Sequence, residues 1–351
     1  MGKKSIKSNR YLRKGEALSI LLIIFLFYFL LREEMPEKSD ESLPLPESDS
    51  AGKTEEGPET EKGISVYFDG EVAGIVKKMI NSATKTVYAA TYTYSKNEIS
   101  DLLEKKHTEG VKVRLAAGKN KERTAPEYEF SLVEMKNGIY HPKFFVFDGR
   151  DVLILSANIS SEKTAFNNAV LFPDAPEAAR ILENEIDDVF EGRIVKRCEN
   201  GCSTEIGTIF FNPGRGCLNV KNEILSAKES VKAGIYTITQ KNPMVTGLKK
   251  ILGKGVKTSI IVDNWRGKDG KIVNKRAFSY LQSLGAEVNY DESGENTRLF
   301  HHKFAEIDGK TAVFGSMNWT SSACYRNREL VVVSRDAGIA ASFSDYFDGL
   351  R

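Results

Sequence analysis

An internal repeat with a 160-residue offset constrains this chain more than any other feature. His141, Lys143 and Asp148 recur as His301, Lys303 and Asp308 with the same internal spacing, H-x-K-x-x-x-x-D. Ser156 and Asn158 follow the first histidine by 15 and 17 positions, and Ser316 and Asn318 follow the second by the same 15 and 17. The chain has only four histidines, so two of them falling in one spaced pattern argues for duplication rather than coincidence. A duplicated chain folds as two like units, each with secondary structure that must bury one apolar face.

The repeat extends to the predicted elements. The amphipathic stretch at 80–83 corresponds to 224–227, and each leads into an alternating strand-type run, 87–94 and 231–238. A helical segment and a second strand follow in each half, at 110–113 and 255–258, so helices alternating with strands predict a βαβ sheet. The histidine and lysine lie on short apolar runs, 141–147 and 301–307, each followed by another, 152–155 and 312–314, across Asp-Gly turns at Asp148-Gly149 and Asp308-Gly309. Side chains at i and i+2 of a strand share a face, so each His-Lys pair is expected on one surface. Amphipathic helices over 176–190 and 337–347 close the halves. The expected boundaries are 63–192 for the first half, a linker at 193–206, and 207–351 for the second.

H-x-K-x-x-x-x-D followed by G-S-x-N resembles the phospholipase D superfamily of phosphodiesterases. Gly315-Ser316-Met317-Asn318 carries the second element complete; the first half has Leu155-Ser156-Ala157-Asn158, with Leu in place of Gly. The resemblance implies an α/β fold of two tandem phospholipase D-like βαβ-sheet halves related by a pseudo-twofold axis, an intramolecular pseudo-dimer in a monomeric chain. It also implies one shared site in which Lys143, Lys303, Asn158 and Asn318 bind the phosphate oxygens and Ser156 and Ser316 support them. Two ammonium groups and amide donors stabilise charge on the non-bridging oxygens, so no metal or cofactor is expected.

One imidazole would attack phosphorus and the other would protonate the leaving oxygen and then activate water. Glu329 lies 28 residues after His301, where family members often have an orienting carboxylate; the matching position after His141 is Ala169. A carboxylate favours the imidazolium, so His141 is expected as nucleophile and His301, held by Glu329, as general acid and base. Asp148 and Asp308 join the catalytic set through the resemblance, although an Asp before Gly at a strand end is also a turn former. His302 is expected to face away from the site and His107 to lie on a helix surface. Trp319 and Tyr325 are expected in the core.

Residues 1–62 carry 10 Lys/Arg and 12 Asp/Glu, leaving 40 against 36 in the remainder, too small an excess for a general nucleic-acid clamp. Residues 17–31 are uncharged with Ser19 alone clearly polar, and Lys3, Lys4, Lys7, Arg10, Arg13 and Lys14 precede them. We read 1–16 as a cytoplasmic basic segment, 17–31 as a single transmembrane anchor and the Glu-, Ser- and Pro-rich 32–62 as a disordered acidic linker. The catalytic region is then outside the cytoplasm. Cys198, Cys202 and Cys217 cluster where the halves join, Cys324 lies far off, and one disulfide among the first three or free thiols are both open.

Three functions fit. The first is a membrane-anchored enzyme hydrolysing phospholipid phosphodiesters, with the lipid substrate held close by the anchor. The second is a metal-independent endonuclease acting on DNA or RNA, suggested by Trp265, Arg266, Lys268, Lys271, Lys275 and Arg276 in an insertion before His301. The third, a scaffold with a decayed site, rests on Leu155 and Ala169, against two intact His, Lys, Ser and Asn sets.

Overall fold

The computed structural model describes residues 63–122, 124–160, 166–291 and 299–350. The expected anchor at 17–31 and linker at 32–62 lie outside the described residues, among which no helix is long and apolar enough to cross a membrane.

The first half runs β1 (Ser65–Phe68), α1 (Gly70–Ser82), β2 (Thr86–Tyr94), α2 (Glu98–Thr108), β3 (Lys112–Asn120), β4 (Glu129–Leu132), β5 (Phe144–Phe147), β6 (Asp151–Leu155), β7 (Asn168–Phe172) and α3 (Pro176–Phe190). The second runs β8 (Cys202–Thr204), β9 (Gly207–Asn212), α4 (Gly216–Ser226), β10 (Ser230–Ile235), α5 (Pro243–Leu252), β11 (Lys257–Val262), α6 (Lys275–Ser283), β12 (Glu287–Tyr290), β13 (Lys303–Ile307), β14 (Thr311–Gly315), α7 (Ser321–Tyr325), β15 (Glu329–Ser334) and α8 (Ala337–Gly349).

The first sheet is ordered β1-β7-β6-β5-β2-β3-β4. The second repeats it strand for strand as β9-β15-β14-β13-β10-β11-β12, with β8 added beside β9. The parallel neighbours β2 and β3 are joined through α2, and the β5–β6 and β13–β14 hairpins are antiparallel. Local chemistry sets the helix starts: the Asn97 side chain accepts from the backbone N–H of Ile99 and Ser100 at α2, and Pro176 occupies the first turn of α3.

Both Asp-Gly turns form as expected. Asp148 and Gly149 have φ of 54° and 66°, Asp308 and Gly309 55° and 68°, a left-handed pair in each of the three-residue loops that join Phe147 to Asp151 and Ile307 to Thr311. Each aspartate is fully engaged at its turn. Asp148 accepts from the backbone N–H of Thr84, Lys85 and Thr86 and from the Thr84 hydroxyl; Asp308 accepts from the N–H of Lys228, Glu229 and Ser230. They lie at the end of β5 and β13 remote from the histidines and pin the loops that lead into β2 and β10. Both carboxylates are taken up by these turn and loop groups.

Three apolar layers hold the fold. One lies on the outer face of the first sheet beneath α1 and α2, another on the outer face of the second beneath α4 and α5. The third is shared by both halves, joining Val146, Phe172 and Leu182 to Phe304, Phe314, Leu330 and Phe343, with the Phe172 and Phe314 rings stacked at 6.2 Å. Within this shared layer Arg328 and Glu185 form a buried pair between the halves, Nε to Oε1 at 2.9 Å. Residues 193–206, expected to link the halves, carry a Cys198–Cys202 disulfide and the strand β8. Cys217 pairs with Cys324, tying α4 to α7. The distant cysteine that the sequence left aside is thus bridged, and no described cysteine is free.

Candidate active site

Each His-Lys segment is anchored to the opposite half before its own strand begins. His141 N–H donates to the Arg328 carbonyl and Arg328 N–H to the Ile139 carbonyl, both at 2.9 Å. His301 N–H donates to the Phe166 carbonyl at 2.8 Å and Phe166 N–H to the Leu299 carbonyl at 2.7 Å. These short parallel bridges, Tyr140 with Arg328 and Phe166 with Phe300, correct the expectation that the histidines sit on β5 and β13. Their backbone groups are taken by the other half, so the strands start later, at Phe144 and Lys303.

The bridges bring the next residue of each receiving strand against a histidine. Glu329 Oε2 lies 2.6 Å from His141 Nδ1, and Asn167 Oδ1 lies 3.1 Å from His301 Nδ1. Glu329 therefore holds His141, not His301, and the counterpart of Glu329 is Asn167, not Ala169. Ser316 and Ser156 confirm the equivalence. Ser316 Oγ donates to Glu329 Oε2 at 2.6 Å and accepts from Leu330 N–H; Ser156 Oγ donates to Asn167 Oδ1 at 3.0 Å and accepts from Asn168 N–H. The separations are 13 residues in one half and 11 in the other, so counting a fixed 28 residues from each histidine overshoots in the first. Both serine hydroxyls are engaged in holding these partners.

Lys143 Nζ donates to the His141 carbonyl at 3.1 Å, and Lys303 Nζ to the His301 carbonyl at 2.5 Å. Each ammonium lies over a tyrosine ring, Lys143 at 6.0 Å from Tyr92 and Lys303 at 5.0 Å from Tyr236. The same rings flank the histidines, Tyr92 to His141 at 5.2 Å and Tyr236 to His301 at 4.7 Å. Asn158 and Asn318 follow β6 and β14. Asn158 Oδ1 accepts a long 3.5 Å bond from Thr93 N–H, and Asn318 Oδ1 is buried without a partner among the described residues.

The site is depleted of solvent and rich in cations. His141 is 6% exposed and Lys143 fully buried. Burial pushes His141 down to about 4 although Glu329 pulls upward. Burial also lowers His301 well below the usual imidazole range, reinforced by Lys303 and Lys143. Lys143 is pushed down to about 7 by burial, and Lys303 falls well below its ordinary value through burial and the neighbouring Lys143. Such crowding of weakly protonated cations is relieved when an anion enters. Among the described residues no cluster of His, Cys, Asp and Glu is placed to hold a metal ion.

Sequence reasoning missed Asn167 and the paired tyrosines. Tyr92 and Tyr236 carried a signal, since both occupy the same place in the runs 87–94 and 231–238. It also missed Asp263, which is buried and accepts from Trp265 N–H and Phe300 N–H. Burial lifts its carboxyl to about 6. His302 turns from His141 and His301, its ring nitrogens against Asn168 and Tyr346. Trp319 is in the core, whereas Tyr325 is 61% exposed, because α7 ends there and turns its last residue outward. In the insertion, Trp265 stacks on Tyr236 while Arg266, Lys268, Lys271, Lys275 and Arg276 are exposed.

The family described as "Cardiolipin synthase, PLD-like domain" matches residues 76–190 and 220–351, one segment over each half. The chain belongs to the phospholipase D-like family of phosphodiesterases. A mitochondrial cardiolipin hydrolase from Xenopus tropicalis is 28% identical over 127 residues, 36% of this chain and 57% of that protein. A phospholipase D from Rickettsia conorii is 30% identical over 136 residues, 38% of this chain and 63% of that protein. The matches thus span roughly half to under two thirds of these relatives' own length. The crystal structure of phosphatidylserine synthase from Haemophilus influenzae superposes with a TM-score of 0.63 at 15% identity, covering 80% of this chain and 84% of the other, which shows the family fold across both halves.

Proposed function

We propose that this chain is a membrane-anchored phosphodiesterase that hydrolyses phospholipid phosphodiester bonds through a covalent phosphohistidine, without a metal ion. The observation that carries this reading is the crossed partnership, which makes one pseudo-twofold site from two repeats yet gives its histidines unlike partners. Glu329 accepts the Nδ1 proton of His141 and leaves the Nε2 lone pair free. When Nε2 bonds to phosphorus the ring becomes cationic, and the carboxylate stabilises that charge. Asn167 orients His301 but offers only an amide dipole, so the protonated ring gives up its proton readily. His141 is therefore the nucleophile and His301 the general acid, the roles expected from sequence but for a different physical reason.

In the first step the His141 Nε2–phosphorus bond forms, the phosphorus–alcohol oxygen bond breaks, and the leaving oxygen takes the Nε2 proton of His301. In the second, water attacks phosphorus and passes a proton to His301, and the nitrogen–phosphorus bond breaks. Lys143 and Lys303 hold the non-bridging oxygens throughout, and the amides of Asn158 and Asn318 assist them. Two disulfides fit a catalytic region exposed to an oxidising compartment, and the names of the cardiolipin hydrolase relatives favour a lipid substrate.

An endonuclease is the second reading, favoured by the exposed Arg266, Lys268, Lys275 and Arg276 beside the site. The full chain in detergent micelles, assayed with EDTA against phosphatidylcholine, cardiolipin and single- and double-stranded nucleic acid, separates the two. Lipid turnover is expected; nucleic-acid cleavage alone would reverse the order, and loss of all turnover in EDTA would refute the metal-free mechanism. Covalent intermediate should accumulate in His301→Asn and be absent from His141→Asn.

A further inference from the structure

We propose that Asp69, Tyr346 and His302 are positioning residues for the general acid, holding Asn167 against His301 and so governing delivery of the proton to the leaving oxygen. The inference rests on the assignment of His301 to that step.

Asp69 stands at the start of α1, where an aspartate ordinarily accepts from the first N–H groups of the helix, yet it makes no such bond. Its backbone has φ 53° and ψ −119°, a conformation that costs energy in any residue with a Cβ and persists where the surroundings impose it. Two contacts do so. The Asp69 N–H donates to the carbonyl of Asn167 at 2.8 Å, and the Tyr346 hydroxyl donates to the Asp69 carboxylate, 2.9 Å from each oxygen. Tyr346, in α8, is itself fixed by stacking on Phe68 with ring centroids 3.9 Å apart.

His302 completes the circuit. Its Nε2 lies 2.9 Å from Tyr346 Oη and 3.3 Å from Asp69 Oδ1, and its Nδ1 lies 3.2 Å from Asn168 Oδ1. A tyrosine hydroxyl has one proton and Asp69 takes it, so His302 carries a proton on Nε2 and donates it to the Tyr346 oxygen. Asn168 follows Asn167 directly, and the ring closes through that peptide, from Asp69 to Asn167, Asn168, His302, Tyr346 and back. His302 and Asn168 have no exposed surface. Ser156 Oγ takes the Asn168 N–H and donates to Asn167 Oδ1, the oxygen that faces His301 Nδ1 at 3.1 Å. The amide that orients the acid is thus gripped through its carbonyl, its side-chain oxygen and the residue after it.

Behind the nucleophile the same places are apolar. Pro142 stands where the second repeat has His302, and Leu330 follows Glu329 as Asn168 follows Asn167, and neither side chain can hydrogen-bond. The polar circuit serves one histidine.

Its effect on that histidine follows from the charges around it. Burial, then Lys303, Lys143, His141 and His302, all disfavour the protonated His301 ring. Asn167 Oδ1 accepts from Nδ1–H and opposes them, since an acceptor bonded to the charged form favours it. Around His302 the charged groups are Asp69, Lys303 and Asp291, and burial outweighs the pull of the carboxylates and lowers its pKa. A slackened Asn167 therefore leaves His301 worse aimed and harder to protonate.

The test uses the full chain in mixed micelles and follows formation of the covalent intermediate in a single turnover, on phosphatidylcholine and on phosphatidyl-p-nitrophenol with identical acyl chains. Both lipids leave the same phosphatidyl group on His141, but nitrophenolate departs without a proton whereas the choline oxygen needs one. Tyr346→Phe keeps the stack on Phe68 and deletes the hydroxyl. It should slow the phosphatidylcholine reaction roughly three- to tenfold, the worth of one hydrogen bond, with the loss confined to that lipid. The limb of the pH–rate profile governed by the general acid should move to lower pH. Asp69→Asn, which preserves shape and removes the carboxylate charge, should act in the same direction. Equal losses on both lipids, or an unmoved limb, would show a role in packing alone and overturn the inference while leaving the phospholipid reading intact. Failure to trap the intermediate in His301→Asn would remove the assignment beneath it, and absence of turnover of either lipid by the unaltered protein would overturn both readings.

Discussion

Glu329 Oε2 lies 2.6 Å from His141 Nδ1 although 188 residues separate them, and Ser316 donates a second hydrogen bond to the same oxygen. The carboxylate is fully buried, so its charge is directed at one imidazole and little is lost to water. Replacing Glu329 with Gln preserves shape and removes that charge. The expected outcome is a fall in kcat of about a hundredfold to ten-thousandfold, as when the orienting acid of a catalytic histidine is neutralised, with an unchanged circular dichroism spectrum. A variant within threefold of the parent would contradict the role given to the pair.

Asn167→Asp places a carboxylate where His301 now meets an amide. The new charge favours the imidazolium, so the His301 pKa rises from its depressed position and the ring stays protonated to higher pH. The limb of the pH–rate profile governed by the general acid should move upward in pH. Profiles measured side by side decide this, and superimposable limbs would count against His301 as the acid.

Anion binding should draw protons into the site. Burial holds Lys143 at about 7 and Lys303 well below its ordinary value, and a bound phosphate or tungstate restores charge to both. Since the bound form has the higher pKa, affinity is greatest below pH 7 and weakens as pH climbs past it, by up to about tenfold per pH unit for one coupled proton. Titration calorimetry at pH 7.5 in buffers of different ionisation heat should report net proton uptake. Heats that do not depend on the buffer would rule it out.

Asp148→Ala should injure stability more than chemistry. Burial alone would raise this carboxyl, but the N–H groups of Thr86, Lys85 and Thr84 outweigh it and hold it low. A depressed carboxyl contributes stability above its unfolded pKa and loses it as pH falls through the folded value. The variant should lose about 1–2 kcal/mol at pH 7, as when a capping carboxylate is removed, and the deficit should shrink towards pH 3. Thermal melts across that range give the comparison; kcat at 25 °C should stay within about tenfold, far above that of Lys143→Ala.

The two disulfides should contribute unequally. Cys217–Cys324 closes 107 residues and Cys198–Cys202 only 4, so loop entropy assigns about 5 kcal/mol to the first and about 2 kcal/mol to the second. Denaturant melts of the paired Cys→Ser variants should rank them in that order, and the reverse ranking would show that native-state contacts outweigh chain entropy here.

The constant offset between His141 and His301 made the duplication legible, and the Asp-Gly dipeptides marked both hairpins because few other pairs tolerate two positive φ values. The closing helices were legible from their apolar spacing. What sequence did not reveal was which side chain reaches which histidine. That depends on a bridge between halves, Tyr140 to Arg328 and Phe166 to Phe300, which leaves no periodic trace, and a two-residue difference in length hid Asn167 behind Ala169. Cys324 was unreadable for the same reason: its partner is near only after the second half has folded.

Because each histidine takes its orienting side chain from the other repeat, the two copies are not interchangeable as stretches of gene. Conversion of the second repeat to the first would put an amide in place of Glu329 and leave both imidazoles facing neutral partners. Conversion in the opposite direction would give both a carboxylate. Either product keeps the two His-Lys pairs and the strand order, and in both the inequality that separates nucleophile from acid is gone. For a gene that arose by copying itself, further copying is the hazard, and divergence between its halves is the property that selection has to maintain.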